Sequence, residues 1–208
     1  KMGGVKTVNM HPAPYKEEGS FTFDQDLFDN CEDNVNLYGY FQCEKYFKHI
    51  EDEIRKDLTF KDEIVDECKS LIVRFDNPIS LHIRRGDFII NSGNHPPLGL
   101  DYYESALKQF DPDREVIIFS DDTDWCKEQG LFESDRFAVA EGGNQFYDMC
   151  LMSMCSDHII ANSTFSWWGA YMNKNATKLV TYPSVWFGVD LPHDTVDLCP
   201  TTWTQIDA

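Results

Sequence analysis

The stretch Asn144–Asn173, NQFYDMCLMSMCSDHIIANSTFSWWGAYMN, decides how the rest of the chain is interpreted. Its first part, Phe146 to Cys155, carries apolar residues on nearly every side and predicts a buried helix that contains one acid, Asp148. The run His158–Ala161 is too short for a helix and too apolar for a loop, so it predicts a buried strand. The stretch therefore predicts helix, strand, polar turn and a second helix.

The polar turn runs from Asn162 to Ser166 and leads into a helix with paired tryptophans. Ser163 or Thr164 can cap that helix. Backbone N–H groups and small hydroxyls at a helix N-terminus favour negative charge. Two interpretations stay open at this point: the turn is a simple helix cap, or it is a site for an anion.

A second polar turn, Arg84-Arg85-Gly86-Asp87, follows the predicted buried strand Ile79–Ile83. It lies at the carboxyl end of that strand, where open α/β sheets bind ligands. The guanidinium fork pairs with phosphate in a bidentate way, and glycine permits a tight turn or a close approach to a ligand. The alternative is that the two arginines form salt bridges with some of the 36 acidic residues.

Strands and helices alternate from Ile79 to Tyr182, which predicts a doubly wound α/β domain. We expect residues 77–208 to form this domain and residues 1–76 to belong to another lobe or a connecting region. The other predicted strands are Val5–Asn9, Val35–Phe41, Glu115–Phe119, Arg136–Ala140 and Lys178–Tyr182, and the other predicted helices are Glu44–Asp57, Lys61–Arg74, Asp101–Phe110 and one ending at Gln129.

Composition excludes several classes of protein. The 208 residues carry a net charge of −18, which disfavours nucleic-acid and anionic-membrane partners. No run reaches the roughly 18 to 20 apolar residues of a membrane span. The seven cysteines are odd in number and lack CxxC spacing, which favours a reducing compartment. We therefore predict a cytoplasmic location, with peripheral attachment to a membrane left open, and disfavour the Golgi lumen.

Motif searches narrow the chemistry. The sequence has no GxxxxGK[ST] loop, no GxGxxG after a strand and no HExxH. Asp122-Thr123-Asp124 has the DxD spacing by which some nucleotide-sugar enzymes hold a divalent metal, but Asp122 or Thr123 can equally cap the next helix. What remains is a diphosphate site between arginines and a helix N-terminus, as a nucleotide-sugar transferase would need.

Several strings together resemble the α-1,2-fucosyltransferases of glycosyltransferase family 11. The resemblance extends from about Leu37 to Trp186. The strings are YGYFQCEKYF at 38–47, HIRRGDF at 82–88, FSDD at 119–122, YDM at 147–149, LMS at 151–153 and IANSTFSWWGA at 160–170.

The resemblance implies a two-lobed GT-B type architecture with a Rossmann-like domain, and metal-independent transfer of fucose from GDP-β-L-fucose to a galactoside hydroxyl with inversion. It implies that Arg84 holds the β-phosphate, that His82 and Asp148 contact guanine, and that the Ser163 turn binds the diphosphate. Asp87 is the candidate base, with pairing to Arg85 as the alternative. The expected donor-binding residues are His82, Arg84, Arg85, Asp148, Asn162, Ser163, Thr164 and Ser166, with orientation of the strand end as the alternative role of Arg85. The expected catalytic residues are Arg84 and Asp87.

One departure from the family concerns residues 1–36, which lack the glycine-rich GGLGNQ-like start of its members. The chain is then expected to be the carboxyl-terminal part of a longer enzyme, or to have its first lobe lost or supplied separately. Two competing functions stay open. One is a metal-dependent transferase that uses Asp122 and Asp124. The other is a binding module without turnover, whose Trp167, Trp168 and Trp186 would stack on sugars.

Overall fold

A computed structural model describes residues 15–17 and 19–208. The predicted strand Val5–Asn9 lies outside these residues. The described helices are α1 (Gln25–Asn30), α2 (Glu51–Asp57), α3 (Asp62–Ile72), α4 (Gly86–Ile90), α5 (Leu100–Leu107), α6 (Thr123–Lys127), α7 (Gln145–Met154) and α8 (Thr164–Met172). The described strands are β1 (Tyr15–Glu17), β2 (Asn36–Tyr38), β3 (Ile79–Ile83), β4 (Val116–Ser120), β5 (Phe137–Val139), β6 (Asp157–Ile159), β7 (Val180–Pro183) and β8 (Thr204–Ile206).

Six of these strands form one sheet in the order β5-β4-β3-β6-β7-β8, and every neighbouring pair is parallel. Numbered along the chain within this sheet, the order is 3-2-1-4-5-6, that of a Rossmann fold. The direction of winding reverses between β3 and β6, and ligands bind outside the carboxyl ends of the strands at such a point. The sheet confirms the predicted α/β fold.

Helices cover both faces of this sheet because alternate strand residues point to opposite sides. On one face, Leu81 of β3 packs in a core cluster with Tyr102 of α5, and both are fully buried. On the other face, Ile117 of β4 packs with Cys68 of α3 and Met152 of α7. Each fully buried aliphatic side chain of this kind contributes roughly 1.5 to 3 kcal/mol. Packing on both faces holds the strand ends, and therefore the polar turns, in fixed positions.

Residues before the sheet do not follow the predicted pattern throughout. Within the predicted helix Glu44–Asp57, only α2 is an α-helix. Two 3-10 turns, Glu44–Tyr46 and Lys48–Ile50, precede α2. Phe47, which was predicted to lie on the apolar face of this helix, packs instead on α8, with its ring 5.6 Å from the Trp168 ring. Strand β2 is shorter than predicted and pairs with β1.

Other boundaries differ at their ends. Gly99 occupies the N-cap of α5, so Asp101 lies within its first turn instead of capping it. Strand β8 was not predicted, because three residues at the sheet edge carry too little pattern. Helix α3 packs on α7 and so contributes to the hydrophobic core beside the sheet. The division of the chain at residue 77 stays a prediction. Among the described helices, none combines the length and apolarity that crossing a membrane demands.

Candidate active site

A cavity of about 720 Å³ opens at the carboxyl ends of β3 and β6. The Arg84 turn after β3 and the Ser163 turn after β6 both line it, together with the turn after β4 and the N-terminus of α7. Seven of the residues predicted for the site border this cavity: His82, Arg84, Asp87, Asp148, Asn162, Ser163 and Thr164. The cavity lies where the winding of the sheet reverses, as a nucleotide site in a Rossmann fold does.

Arg84 is held in the cavity by two carboxylates. Its Nη2 donates to Oδ1 of Asp87 at 2.7 Å, and its Nη1 lies 3.0 Å from Oδ2 of Asp121. The guanidinium carbon also lies 5.6 Å from the centre of the Phe88 ring. The arginine is therefore fixed in direction, and its charge is balanced by these two carboxylates.

The backbone of this turn requires a glycine at position 86. Oδ1 of Asp121 accepts a hydrogen bond from the Arg85 N–H at 2.9 Å, which brings the carboxylate against the chain. A Cβ atom added to Gly86 would lie 2.5 Å from Oδ2 of Asp121. The RRGD sequence thus uses its glycine to let Asp121 reach both Arg84 and the backbone.

Arg85 points away from the cavity. Its Nε lies 3.1 Å from Oδ2 of Asp122, and its guanidinium carbon lies 3.9 Å from the centre of the Trp125 ring. The structure therefore does not bring Arg85 to the other predicted donor ligands, and Asp87 pairs with Arg84 instead of Arg85. Arg85 holds the β3 turn against α6.

The two acids of the DxD triplet have other partners. Asp122 caps α6 by accepting a hydrogen bond from the Trp125 N–H at 3.3 Å, so the capping interpretation is confirmed. Asp124 lies 3.5 Å from Nζ of Lys127 and is almost fully exposed. Over residues 15–17 and 19–208, no group of three His, Cys, Asp or Glu side chains is placed to hold a metal ion.

Ser163 caps α8, as predicted for one of the two hydroxyl residues. Its hydroxyl accepts a hydrogen bond from the Phe165 N–H at 3.3 Å. Thr164 is exposed at the cavity. Ser166 is fully buried and donates to the carbonyl of Ser163 at 3.2 Å. Ser166 therefore stabilises the turn from behind and does not line the cavity.

Three buried polar atoms on the cavity wall have no hydrogen-bond partner in the described part of the chain: Nδ1 of His82, Oδ1 of Asn162 and Oε1 of Gln42. The Asn162 amide nitrogen is engaged, because it donates to the carbonyls of Pro96 at 2.9 Å and Trp186 at 3.2 Å. Burial lowers the pKa of His82 to about 4, so the imidazole is neutral at pH 7. Unpaired buried polar atoms are rare, and these three are suited to pair with a polar ligand.

Asp148 lies in the first turn of α7, whose N-cap is Asn144. Burial raises the pKa of its carboxyl group. A Cβ atom on Gly143 would lie 2.7 Å from Oδ1 of Asp148, so the carboxylate is packed against the loop before α7. Asp148 also borders a second cavity of about 650 Å³, between α3 and the β5 edge of the sheet.

Several residues that line the cavity were not predicted from the sequence. They come from distant segments and are Tyr40, Gln42, Phe88, His95, Phe119, Ser120, Asp121, Asn144, Gln145 and Phe187. The tryptophans considered for sugar stacking are largely unsuited to it. Trp167 is 6% exposed and Trp186 is 5% exposed, Trp168 is half-buried, and all three pack in one core cluster.

Comparisons with known proteins agree with this geometry. The model of "Glycosyl transferase family 11" matches residues 14–186. The "O-antigen biosynthesis glycosyltransferase WbnK" of Escherichia coli is 34% identical over 180 residues, which are 78% of this chain and 60% of that protein. An "Alpha-1,2-colitosyltransferase" of Escherichia coli is 32% identical over 216 residues, 98% of this chain and 74% of that protein.

More distant similarities extend to animals and to a solved structure. "Galactoside alpha-(1,2)-fucosyltransferase 1" of Aotus azarae is 25% identical over 149 residues, and the match covers 61% of this chain and 40% of that protein. The crystal structure of fucosyltransferase NodZ from Bradyrhizobium has a TM-score of 0.45 and 17% identity, and the match covers 69% of this chain and 54% of that chain. The family model spans most of the chain, and the chain belongs to glycosyltransferase family 11.

Proposed function

We propose that the protein transfers L-fucose from GDP-β-L-fucose to a hydroxyl of a galactoside, forming an α-1,2 linkage with inversion. The observation that carries this proposal is the meeting of the Arg84 turn and the Ser163 turn at one cavity. A guanidinium and a capped helix N-terminus that line one cavity suit a diphosphate. The names of the relatives support transfer of colitose or fucose in an α-1,2 linkage and, for the Aotus azarae protein, transfer to a galactoside.

In this proposal the β-phosphate binds Arg84, and the exposed hydroxyl of Thr164 and the hydroxyl of Ser163 donate to the diphosphate. Helix α8 is nine residues long, and its N-terminal dipole adds to the positive potential there. The unpaired Nδ1 of His82 and the half-buried carboxyl of Asp148 are the proposed contacts to guanine. Both groups border the cavity that holds Arg84.

Donor binding exchanges the partners of Arg84. The β-phosphate replaces the Asp87 carboxylate, which lies 2.7 Å from Nη2 in the free protein, and Asp87 becomes available to the acceptor. The acceptor oxygen then attacks the anomeric carbon of fucose and gives its proton to Asp87. The bond from that carbon to the β-phosphate oxygen breaks, and its electron pair stays on GDP, where Arg84 stabilises the developing charge. Inversion follows from this single displacement.

We propose that the reaction uses no metal ion, because Arg84 and the α8 N-terminus can stabilise the departing GDP. Asp122 is bound to Arg85 and caps α6, so it is poorly suited to hold a cation.

A second candidate differs only in the donor sugar. The E. coli relative that aligns over 98% of this chain is named as a colitosyltransferase, and colitose is fucose without its 3-hydroxyl group. GDP-colitose is therefore the alternative donor. A transferase that hydrogen-bonds the 3-hydroxyl should strongly prefer fucose, because the lack of this group leaves a polar atom of the site unpaired.

Calorimetric titration tests the donor site. We expect GDP and GDP-fucose to bind, and ADP- and UDP-sugars to bind far more weakly. Arg84→Ala should weaken GDP binding roughly 10- to 100-fold, because a hydrogen bond to a charged group contributes about 1.5 to 3 kcal/mol. Arg74→Ala, which removes an equal charge at an exposed position after α3, is the control. Unchanged GDP affinity in a folded Arg84→Ala variant would refute the assignment. Turnover with GDP-fucose and GDP-colitose then decides between the two donors.

A further inference from the structure

One wall of the active-site cavity is made of aromatic rings. We call Phe21, Tyr40, His95 and Phe187 the aromatic shelf. The Phe21 ring stacks on Tyr40 with centroids 5.7 Å apart and lies 4.8 Å from Phe187, and Phe187 lies 5.8 Å from the His95 ring. Tyr40, His95 and Phe187 line the cavity, and Phe21 supports two of them from behind.

The shelf begins beside the residue that is proposed to hold the leaving group. Phe88 lies between Arg84 and the shelf. The guanidinium carbon of Arg84 is 5.6 Å from the centre of the Phe88 ring, and the His95 ring stacks on the Phe88 ring with centroids 5.2 Å apart. From His95 the shelf continues through Phe187 and Phe21 to the exposed Tyr40. A molecule lying along it would reach from the solvent to the phosphate end of the cavity.

Distant segments are fixed together to form this surface. The loop that carries His95 is joined to the loop after Phe187 by a hydrogen bond from the Gly188 N–H to the Asn94 carbonyl at 2.7 Å. A Cβ atom on Gly188 would collide with the Gly93 carbonyl oxygen, so the close approach of these two loops depends on the glycine.

The segment that carries Tyr40 is held in a strained conformation. Phe41 has φ of 50°, in the left-handed region that bulky residues avoid, at a cost on the order of 1 to 3 kcal/mol. Its neighbours on both sides, Tyr40 and Gln42, line the cavity. Such strain clusters at ligand sites, because the surroundings must hold the residue in place.

Exposure and polarity distinguish the shelf from a hydrophobic core. Tyr40 is 75% exposed, and His95 and Phe187 are half-buried with part of their surface at the cavity, whereas Trp167 and Trp186 are buried. Beside Tyr40, the buried Oε1 of Gln42 has no hydrogen-bond partner among the residues described. A sugar ring offers an apolar face of C–H groups that packs on aromatic rings, and hydroxyl groups that donate to such an oxygen.

We infer that the aromatic shelf is the acceptor subsite, and that it takes a galactose-containing oligosaccharide whose sugar ring packs on Tyr40 and Phe187. This inference rests on the proposed function, because the acceptor hydroxyl must meet the donor sugar near Arg84. It assigns acceptor binding to Phe21 and Tyr40, to the loop that carries His95 and to the loop after β7, none of which supplies a proposed donor ligand.

The test uses a matched pair of tyrosines. Tyr38 and Tyr40 are two residues apart and 68% and 75% exposed, but only Tyr40 lines the cavity. The probes are lactose, N-acetyllactosamine and galactosyl-β1,3-N-acetylgalactosamine, with GDP-fucose or GDP-colitose as the donor. Acceptor KM is measured by GDP release, acceptor contact by saturation-transfer NMR in the presence of GDP, and GDP affinity by calorimetry.

We expect Tyr40→Ala to raise the acceptor KM roughly threefold to tenfold and to weaken saturation transfer, with GDP affinity unchanged. Tyr40→Phe should keep the wild-type KM, and Tyr38→Ala should have no effect. An unchanged KM in Tyr40→Ala, or an equal rise in Tyr38→Ala, overturns the inference while the donor proposal stands. Wild-type protein that binds GDP but shows neither turnover nor saturation transfer with any of the probes also overturns it. Failure to bind GDP or either GDP-sugar refutes the proposed function and the acceptor subsite with it.

Discussion

Lowering the pH from 8 to 5 is expected to reduce the free energy of unfolding substantially, because two histidines are buried in the neutral form. His158 is fully buried, with Nδ1 2.7 Å from the Ser80 hydroxyl and Nε2 2.7 Å from the Asn173 amide nitrogen. Because the Asn173 amide donates to Nε2, the imidazole proton lies on Nδ1 and donates a hydrogen bond to the Ser80 hydroxyl. Ser80, His158 and Asn173 thus form a buried structural group. His82 is 5% exposed.

The magnitude follows from the two pKa values. Burial lowers the pKa from 6.5 to about 3 for His158 and to about 4 for His82. At pH 5 both imidazoles are still neutral in the folded chain, whereas in the unfolded chain both are protonated. Each unit of pH below 6.5 then favours unfolding by about 1.4 kcal/mol per histidine. At pH 5 the loss is about 2 kcal/mol for each residue and about 4 kcal/mol together.

Urea denaturation monitored by tryptophan fluorescence at pH 8, 6.5 and 5 measures this loss. His82→Gln removes one of the two titrating groups and should make the pH dependence shallower by about 2 kcal/mol. Asp148 opposes this loss of stability at low pH. Burial raises the pKa of its carboxyl group, so protonation of Asp148 favours the folded chain. Equal unfolding free energies at pH 8 and 5, or an unchanged pH dependence in His82→Gln, would refute the reasoning.

Two further predictions concern the chemistry. Asp87→Asn should leave GDP affinity equal or tighter, since one carboxylate beside Arg84 loses its charge, but should lower kcat on the order of 100-fold through loss of the base. Steady-state kinetics with calorimetry measures both, and a kcat near that of the wild type would remove Asp87 from the mechanism. EDTA should leave GDP affinity and turnover unchanged, because Asp122 is engaged by Arg85 and α6. Loss of activity in EDTA that Mn²⁺ restores would favour a metal-dependent transferase instead.

Much of the donor side of the site could be predicted from the sequence. Strand β3, strand β4 and helix α7 lie within one residue of their predicted ranges, and α8 begins at its predicted cap, because their apolar patterns are strong and their caps are local. The cap at Ser163 needs only its own hydroxyl and the next two residues. Parallel strands have their carboxyl ends at one edge of the sheet, so two polar turns after such strands could be expected to meet.

Side-chain direction within those turns could not be predicted. Arg84 and Arg85 are adjacent and chemically identical, yet Arg84 lines the cavity while Arg85 stacks on Trp125. The choice depends on Asp121 and Asp122, which follow a strand more than thirty positions away. Ser166 likewise fits the local pattern of a ligand but is turned toward the backbone.

The sequence by itself thus determined the α/β class, the family and the positions of the two turns that we propose as the donor site, because each depends on patterns of a few consecutive residues. Only the tertiary structure decided which side chains line the cavity, and it alone showed the aromatic shelf. Tyr40, His95 and Phe187 are separated by 55 and 92 positions in the chain, and no periodicity links them. Their contact results from the packing of loops around a sheet whose order is set by pairing between distant strands.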